Sequence, residues 1–182
     1  MSQYNVLDSD VEINGQTILA TLEGVSRFSE TYKQQVRDAL ADNGIDEPKP
    51  NEWYSQQAWL NAFEVLATEL EPHLLDRVGE QIPETAEWPT ELSTVEDALQ
   101  SINIAYQQNH RGGEISYYRV TEINDKEGTI RCKNPYPCPF DRGIIRAVTQ
   151  QFAPVERLVF IEETGEECRR EHGDSCVYTV YW

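Results

Sequence analysis

Cys132-Lys-Asn-Pro-Tyr-Pro-Cys138 and Cys168-Arg-Arg-Glu-His-Gly-Asp-Ser-Cys176 together hold all four cysteines of a 182-residue chain. Each pair sits beside turn residues, so side chains from two separate segments can converge on one point. Zinc needs four thiolate or imidazole ligands in a tetrahedron, and two cysteine pairs from two turns can supply them. The gaps of five and seven residues depart from the two-residue knuckle of zinc ribbons. Spacing alone therefore leaves two other readings open, four buried thiols or two disulfides. No secretory pattern supports the disulfides.

Around these stretches the hydrophobic period is that of strands. Ile115 to Ile123 and Thr129 to Cys132 read as a hairpin joined by Asn124-Asp-Lys-Glu-Gly128, with the glycine in a position for positive φ. Asp141 to Phe152 reads as a helix with Ile144, Ile145, Val148 and Phe152 inward. Val155 to Ile161 and Cys176 to Trp182 read as the closing strands.

Towards the N-terminus the period changes to that of helices. Trp59, Leu60, Phe63, Leu66, Ala67 and Leu70 form the stripe of a core-facing helix. A helix from about Ser29 to Asn43 precedes it, closed by Gly44. Pro72 restarts a short helix that ends at Gly79, and Ser93 with Glu96 forms a capping box for a helix carrying Val95, Leu99, Ile102 and Tyr106. Residues 1–22 read as a short hairpin or an extended arm, with Asn14-Gly15 as a turn. The expected class is α+β, with N-terminal helices packed on a C-terminal antiparallel sheet of hairpin–helix–hairpin order. The chain is expected to be one domain, residues 1–110 mainly helical and 111–182 the zinc-binding α+β part.

The net charge is −17, from 32 acidic and 15 basic residues, of which only four are lysine. Such a surface repels nucleic acid and anionic membranes, whose binding requires cations to replace counterions. An acidic, lysine-poor balance fits a cytosol rich in salt, where screening removes most self-repulsion. Halophily and a cytoplasmic location are the expectations.

The run Cys168 to Tyr178 resembles the closing hairpin of the 4-vinyl reductase domain, with a cysteine, a Gly-Asp turn, a second cysteine eight positions on and an aromatic strand. Asn134-Pro-Tyr-Pro-Cys138 before a helix with Gly143 resembles that family's other cysteine. The hairpin–helix–hairpin order also resembles the wider superfamily of haem nitric-oxide-binding domains and vesicle-tethering subunits. The resemblance implies zinc held by three cysteines and one acidic residue, with Cys138, Cys168 and Cys176 in the matching positions. Gly165 stands where the acidic ligand falls, which leaves Cys132 as the fourth ligand, with Glu166, Glu167 and His172 as weaker alternatives.

In that superfamily a ligand cavity lies between helices and sheet. Trp59, Tyr106 and His110 are the residues expected to face it, although aromatic residues at such spacings more often fill core. Haem is not expected. His73 follows Pro72 at a helix start, where a capping or surface role is usual, and Tyr117-Tyr118-Arg119 lacks the serine and the spacing of the sister family's haem signature. No nucleophile–base pair or phosphate loop points to catalysis. The expected function is a non-catalytic, zinc-stabilised domain that binds a small apolar or aromatic molecule. The strand-like ending at Trp182 leaves its output to a partner, such as a second copy across a homodimer interface. The alternative is an interaction scaffold with no small-molecule ligand.

Overall fold

In a computed structural model, which describes residues 3–171 and 173–182, the chain folds as α+β with its helices packed on an antiparallel sheet. After the short strand β1 (Glu12–Asn14), α1 (Gly15–Ser26) and α2 (Glu30–Asp42) are followed by β2 (Trp53–Ser55). Then come α3 (Gln56–Glu69), α4 (Pro72–Thr85), α5 (Val95–Gln108) and β3 (His110–Arg111). The C-terminal part runs through β4 (Tyr117–Ile123), β5 (Glu127–Lys133), α6 (Cys138–Phe152), β6 (Phe160–Glu163) and β7 (Cys176–Tyr181).

Local chemistry explains most of these elements. Ser29 caps α2 by accepting from the Tyr32 amide, and Ser55 caps α3 through the Ala58 amide. The stripe expected from Trp59 to Leu70 is buried along α3. The capping box of α5 lies one residue later than expected. Thr94 and Asp97 exchange the two bonds, and Ser93 adds its own to the Asp97 carboxylate.

Four sequence expectations differ from the structure, each for a tertiary reason. Asn14 is not a turn but the cap of α1, its side chain accepting from the Gln16 amide. Helix α4 continues past Gly79 to Thr85. Gly79 and Gly143 let α4 and α6 touch backbone to backbone, since a Cβ at Gly143 would stand 1.9 Å from the Asp76 carbonyl oxygen. Gly128 lies inside β5, opposite Ile123 and Val180, rather than in the turn. The strand expected over Val155–Ile161 begins only at Phe160, because Val155 is fully exposed and buries nothing.

The sheet has the order β4-β5-β7-β6. Tyr118, Cys132 and Cys176 stand side by side across three of its strands, and all three are buried. The core runs continuously from Ile13 and Trp59 in the helical part to Tyr178 and Val180 in the sheet. The helical part also holds a small sheet, β2-β1-β3, which the sequence does not announce. In it Ile13 pairs with both Tyr54 and His110. Gly112 follows with φ +74, close against the Asp10 carbonyl oxygen, and turns the chain away from β3.

Candidate metal centre and ligand cavity

Three elements bring three sulfurs together. Cys138 opens α6 directly after Pro137, Cys168 precedes the 3-10 turn Arg169–Glu171, and Cys176 opens β7. Their Sγ atoms lie within 4.8 Å of one another, at 3.4 Å for Cys138–Cys168, 3.5 Å for Cys138–Cys176 and 3.0 Å for Cys168–Cys176. Zn–S bonds in a tetrahedron hold sulfurs about 3.8 Å apart. The cluster is close to that spacing and contracted towards its centre. All three residues are buried.

The fourth cysteine stands aside. Cys132 is buried opposite Cys176 on the neighbouring strand, outside the group of three. Burial pushes its thiol well above the usual range. Glu166 and Glu167 are exposed, and His172 lies outside the described residues. The acidic group beside the cluster is Glu163, at the end of β6. Burial and a hydrogen bond to the Glu163 carboxylate raise the Cys168 thiol. Arg170 donates to both, 2.9 Å to Glu163 and 3.4 Å to the Cys168 sulfur. The shared hydrogen bond with Cys138 holds Cys176 well below the usual thiol range, with Arg169 assisting against burial. The same bond, with burial, pushes Cys138 up.

Arg169 ties this corner to the rest of the core. Its amide and its Nε donate to Cys176 at 3.2 and 3.4 Å, and its guanidinium donates to the Asn134 and Tyr136 carbonyl oxygens and to the Asp141 carboxylate. The side chains of Arg169 and Asp141 are both wholly buried. Burial works against the arginine's charge, yet Asp141 and the thiols keep its pKa well above the ordinary value. Asp141 also accepts from the Tyr118 hydroxyl at 2.6 Å. Burial raises its carboxyl, and Arg169 and Tyr118 pull it back. The sequence offered one weak sign of this network, an Arg-Arg pair directly after Cys168.

Tyr118 also lines a cavity of about 40 Å³ between the helices and the sheet. Trp59, Tyr106 and His110 meet there, together with Trp88, Tyr136, Phe140 and Ile102. His110 lines the cavity from a strand and not from a loop after α5. It is buried in β3, with Nδ1 2.7 Å from the Tyr106 carbonyl oxygen and Nε2 2.9 Å from the Tyr136 hydroxyl. Burial lowers its pKa to about 4, against the hydrogen bond to Tyr106. Two polar atoms of the wall, Trp59 Nε1 and the Tyr106 hydroxyl oxygen, make no well-formed hydrogen bond, although Tyr136 stands near the first and Gln56 and Ser116 near the second. Buried groups of this kind are uncommon and favour a site for a ligand or ordered water.

No protein-family model matches this chain, and comparison with curated proteins finds no relative. Solved structures show the fold. An H-NOX protein from S. oneidensis in the Fe(II) state matches with TM-score 0.66 at 11% identity, covering 93% of this chain and 95% of that one. The unliganded Fe(II) H-NOX protein of K. algicida matches with TM-score 0.65 at 13% identity, covering 93% and 96%. An oxygen-binding H-NOX domain related to soluble guanylate cyclases matches with TM-score 0.62 at 14% identity, covering 93% and 94%. The chain therefore has the architecture of H-NOX domains. No helix among the described residues is long and apolar enough to cross a membrane.

Another solved structure of this fold is described as modulating haem redox potential through porphyrin distortion. Haem does not fit the present chain. Pockets for cofactors occupy about 300–1,000 Å³, whereas this cavity has about 40 Å³. The space is filled by stacked Trp59 and Phe63 and by the edge-on rings of Tyr106, Tyr136 and Phe140. Both ring nitrogens of His110 are engaged, and His73 has a side chain 70% exposed on α4.

Proposed function

We propose that this chain is a non-catalytic, small-molecule-binding sensory domain of the 4-vinyl reductase type, stapled by one zinc ion. The observation that carries the reading is the convergence of Cys138, Cys168 and Cys176 from three separate elements. Three thiolates leave one tetrahedral position, and we assign it to Glu163, which is hydrogen-bonded to Cys168 and would have to leave Arg170 and turn inward to reach the other two sulfurs. It takes the role that the sequence assigned to Cys132. Four protein ligands leave zinc no open position, so the ion holds structure and does not react. Three thiolates and a carboxylate on Zn²⁺ sum to a charge of about −2. Arg169 and Arg170, donating to Cys176 and Cys168, offset it.

The cavity supplies the binding half of the proposal. Its apolar wall and the weakly engaged donors Trp59 Nε1 and Tyr106 hydroxyl suit a compact molecule with an apolar body and one acceptor atom. An aromatic ring needs more room, since an engineered cavity of roughly 150 Å³ is what accommodates benzene. Binding a ring would therefore require the aromatic wall to move, and that movement is the signal. The scaffold reading draws on a different observation, the exposed apolar residues Val155, Leu158 and Phe160.

Cobalt substitution followed by absorption spectroscopy tests the metal site. We expect one metal per chain with sulfur-to-cobalt charge transfer. Glu163→Gln should weaken binding beyond the roughly 10–100-fold loss typical of an outer-shell partner, while Cys132→Ser retains it. A reduced protein that takes up no metal, with the clustered thiols freely titratable on unfolding, would overturn the staple.

A further inference from the structure

The three most exposed large apolar residues lie within six positions of one another. Val155 is 100% exposed, Leu158 73% and Phe160 60%. They form the approach to β6 and its first residue, and β6 is an edge of the main sheet. The Thr164 amide donates to the Val177 carbonyl oxygen at 2.9 Å. By antiparallel alternation, the backbone groups of Glu162 and Phe160 then point at β7, and those of Val159, Ile161 and Glu163 point away from the sheet. Exposed edges are normally guarded by charged side chains, proline, a bulge or shortness. Strand β6 is short and has Glu162 and Glu163 at its far end, but its first half and the residues before it carry no lysine or bulge, and its register with β7 is unbroken.

The charge distribution selects the occupant. In a chain of net charge −17, residues 154–161 carry one acid, Glu156, and one base, Arg157. The acidic field is interrupted where the apolar side chains emerge and resumes at Glu162 and Glu163, so two copies avoid like-charge contact only in an antiparallel register that sets each acidic end against the other copy's residues 157 and 158. The strand is also self-complementary. An antiparallel pairing centred on Phe160 sets Phe160 against its own copy and Val159 against Ile161 of the second copy, all with outward-facing backbone groups where bonds are needed. The same register brings Arg157, whose guanidinium donates to the Trp182 carbonyl oxygen at 3.0 Å, towards Glu162 of the other strand.

We propose that β6 pairs with β6 of a second copy about a twofold axis at Phe160, joining two four-stranded sheets into one. A four-residue ribbon buries less than the roughly 1,200–2,000 Å² of a standard stable interface, so the dimer is in equilibrium with monomer. Its salt dependence is characteristic. Repulsion between two bodies of charge −17 outweighs the one attraction of Arg157 for the other strand's acidic end, so screening strengthens the dimer. An association driven by opposite charges would weaken instead.

Sedimentation of the full chain across a concentration series, at ~0.1 M and ~2 M KCl, tests this, because the Debye length falls below about 3 Å at the higher salt. We expect a dimer that tightens at least ~10-fold at high salt, a direction that screening of like charges requires. Phe160→Lys should abolish it and leave thermal melting unchanged, since the side chain is exposed. Phe160→Cys should form a covalent dimer on mild oxidation, whereas Leu158→Cys should not, because position 158 faces position 162 of the other copy. A monomer at both salts, or a dimer indifferent to Phe160→Lys, overturns the interface and leaves the edge to a different occupant. Crosslinking through Leu158→Cys in place of Phe160→Cys overturns the register.

Discussion

The cysteine corner and the cavity wall are joined by one buried polar chain, yet they are built in opposite ways. At the corner every donor of Arg169 that points inward finds an acceptor, among them Cys176, Asn134, Tyr136 and Asp141, and the Tyr178 hydroxyl beside Cys138 is the exception that lacks a well-formed bond. At the wall, Trp59 Nε1 and the Tyr106 hydroxyl oxygen have polar neighbours but no well-formed hydrogen bond, beside a small apolar space. Saturated polar networks fix one arrangement, because any displacement leaves a charge or donor unpaired in a medium of low dielectric. Unsaturated ones retain a reason to bind. The corner is thus suited to hold the fold, and the wall to receive a ligand.

The largest effect that separates the two regions is expected at the corner. Arg169→Met leaves Asp141 buried without its counter-charge and should cost about 3–5 kcal/mol in urea unfolding. Adding Asp141→Leu should restore much of that loss, because the stranded carboxylate is then gone. A double variant no more stable than the single one would mean that Arg169 acts through packing or through the metal.

The junction between the regions should respond to pH. His110 is held neutral by burial, with its pKa lowered to about 4. Between pH 6.5 and 4 the unfolded chain binds a proton there that the folded chain does not, so stability is full above this window and falls as the pH drops through it. The loss should be on the order of 3 kcal/mol, the free-energy equivalent of the shift. Denaturant titrations of wild type and His110→Gln across that window should converge at low pH. Parallel curves would remove His110 as the cause.

The smallest effect is expected at the wall. Trp59→Phe deletes an indole nitrogen that makes no well-formed bond and only stands near the Tyr136 hydroxyl, so relief of its desolvation, about 1 kcal/mol, opposes the lost packing. Stability should change by less than ~1 kcal/mol, far less than at Arg169. A loss of several kcal/mol would show that the wall is as tightly determined as the corner and would blur the contrast between them.

How much of this was legible depends on the range of the interaction. The periods of Trp59–Leu70 and Ile144–Phe152, the serine caps of α2 and α3 and the switch from helical to alternating pattern after Gly113 are all local. They suffice for the α+β class and for the order of helices and strands. Turn residues beside Cys138 and Cys168 also announced that these thiols could converge. The Thr94 cap was missed by one position because Ser93 and Thr94 are both capping residues, and only the hydrogen bonds distinguish them.

By itself, then, the sequence determined the class of fold, the acidic surface and the pairing of cysteines with turns, because each follows from neighbours along the chain. Tertiary structure alone decided that three of the four sulfurs lie within 4.8 Å of one another, that Glu163 and Arg170 stand beside Cys168, and that Arg169 reaches Asp141 across 28 positions. It also decided that His110 is a buried strand residue, through a sheet that joins Ile13 to Tyr54 and to His110. The physical reason is the same in each case. A period or a cap records which face of a segment is covered, but not by what, and the free energy of a buried polar group depends on the partner that covers it.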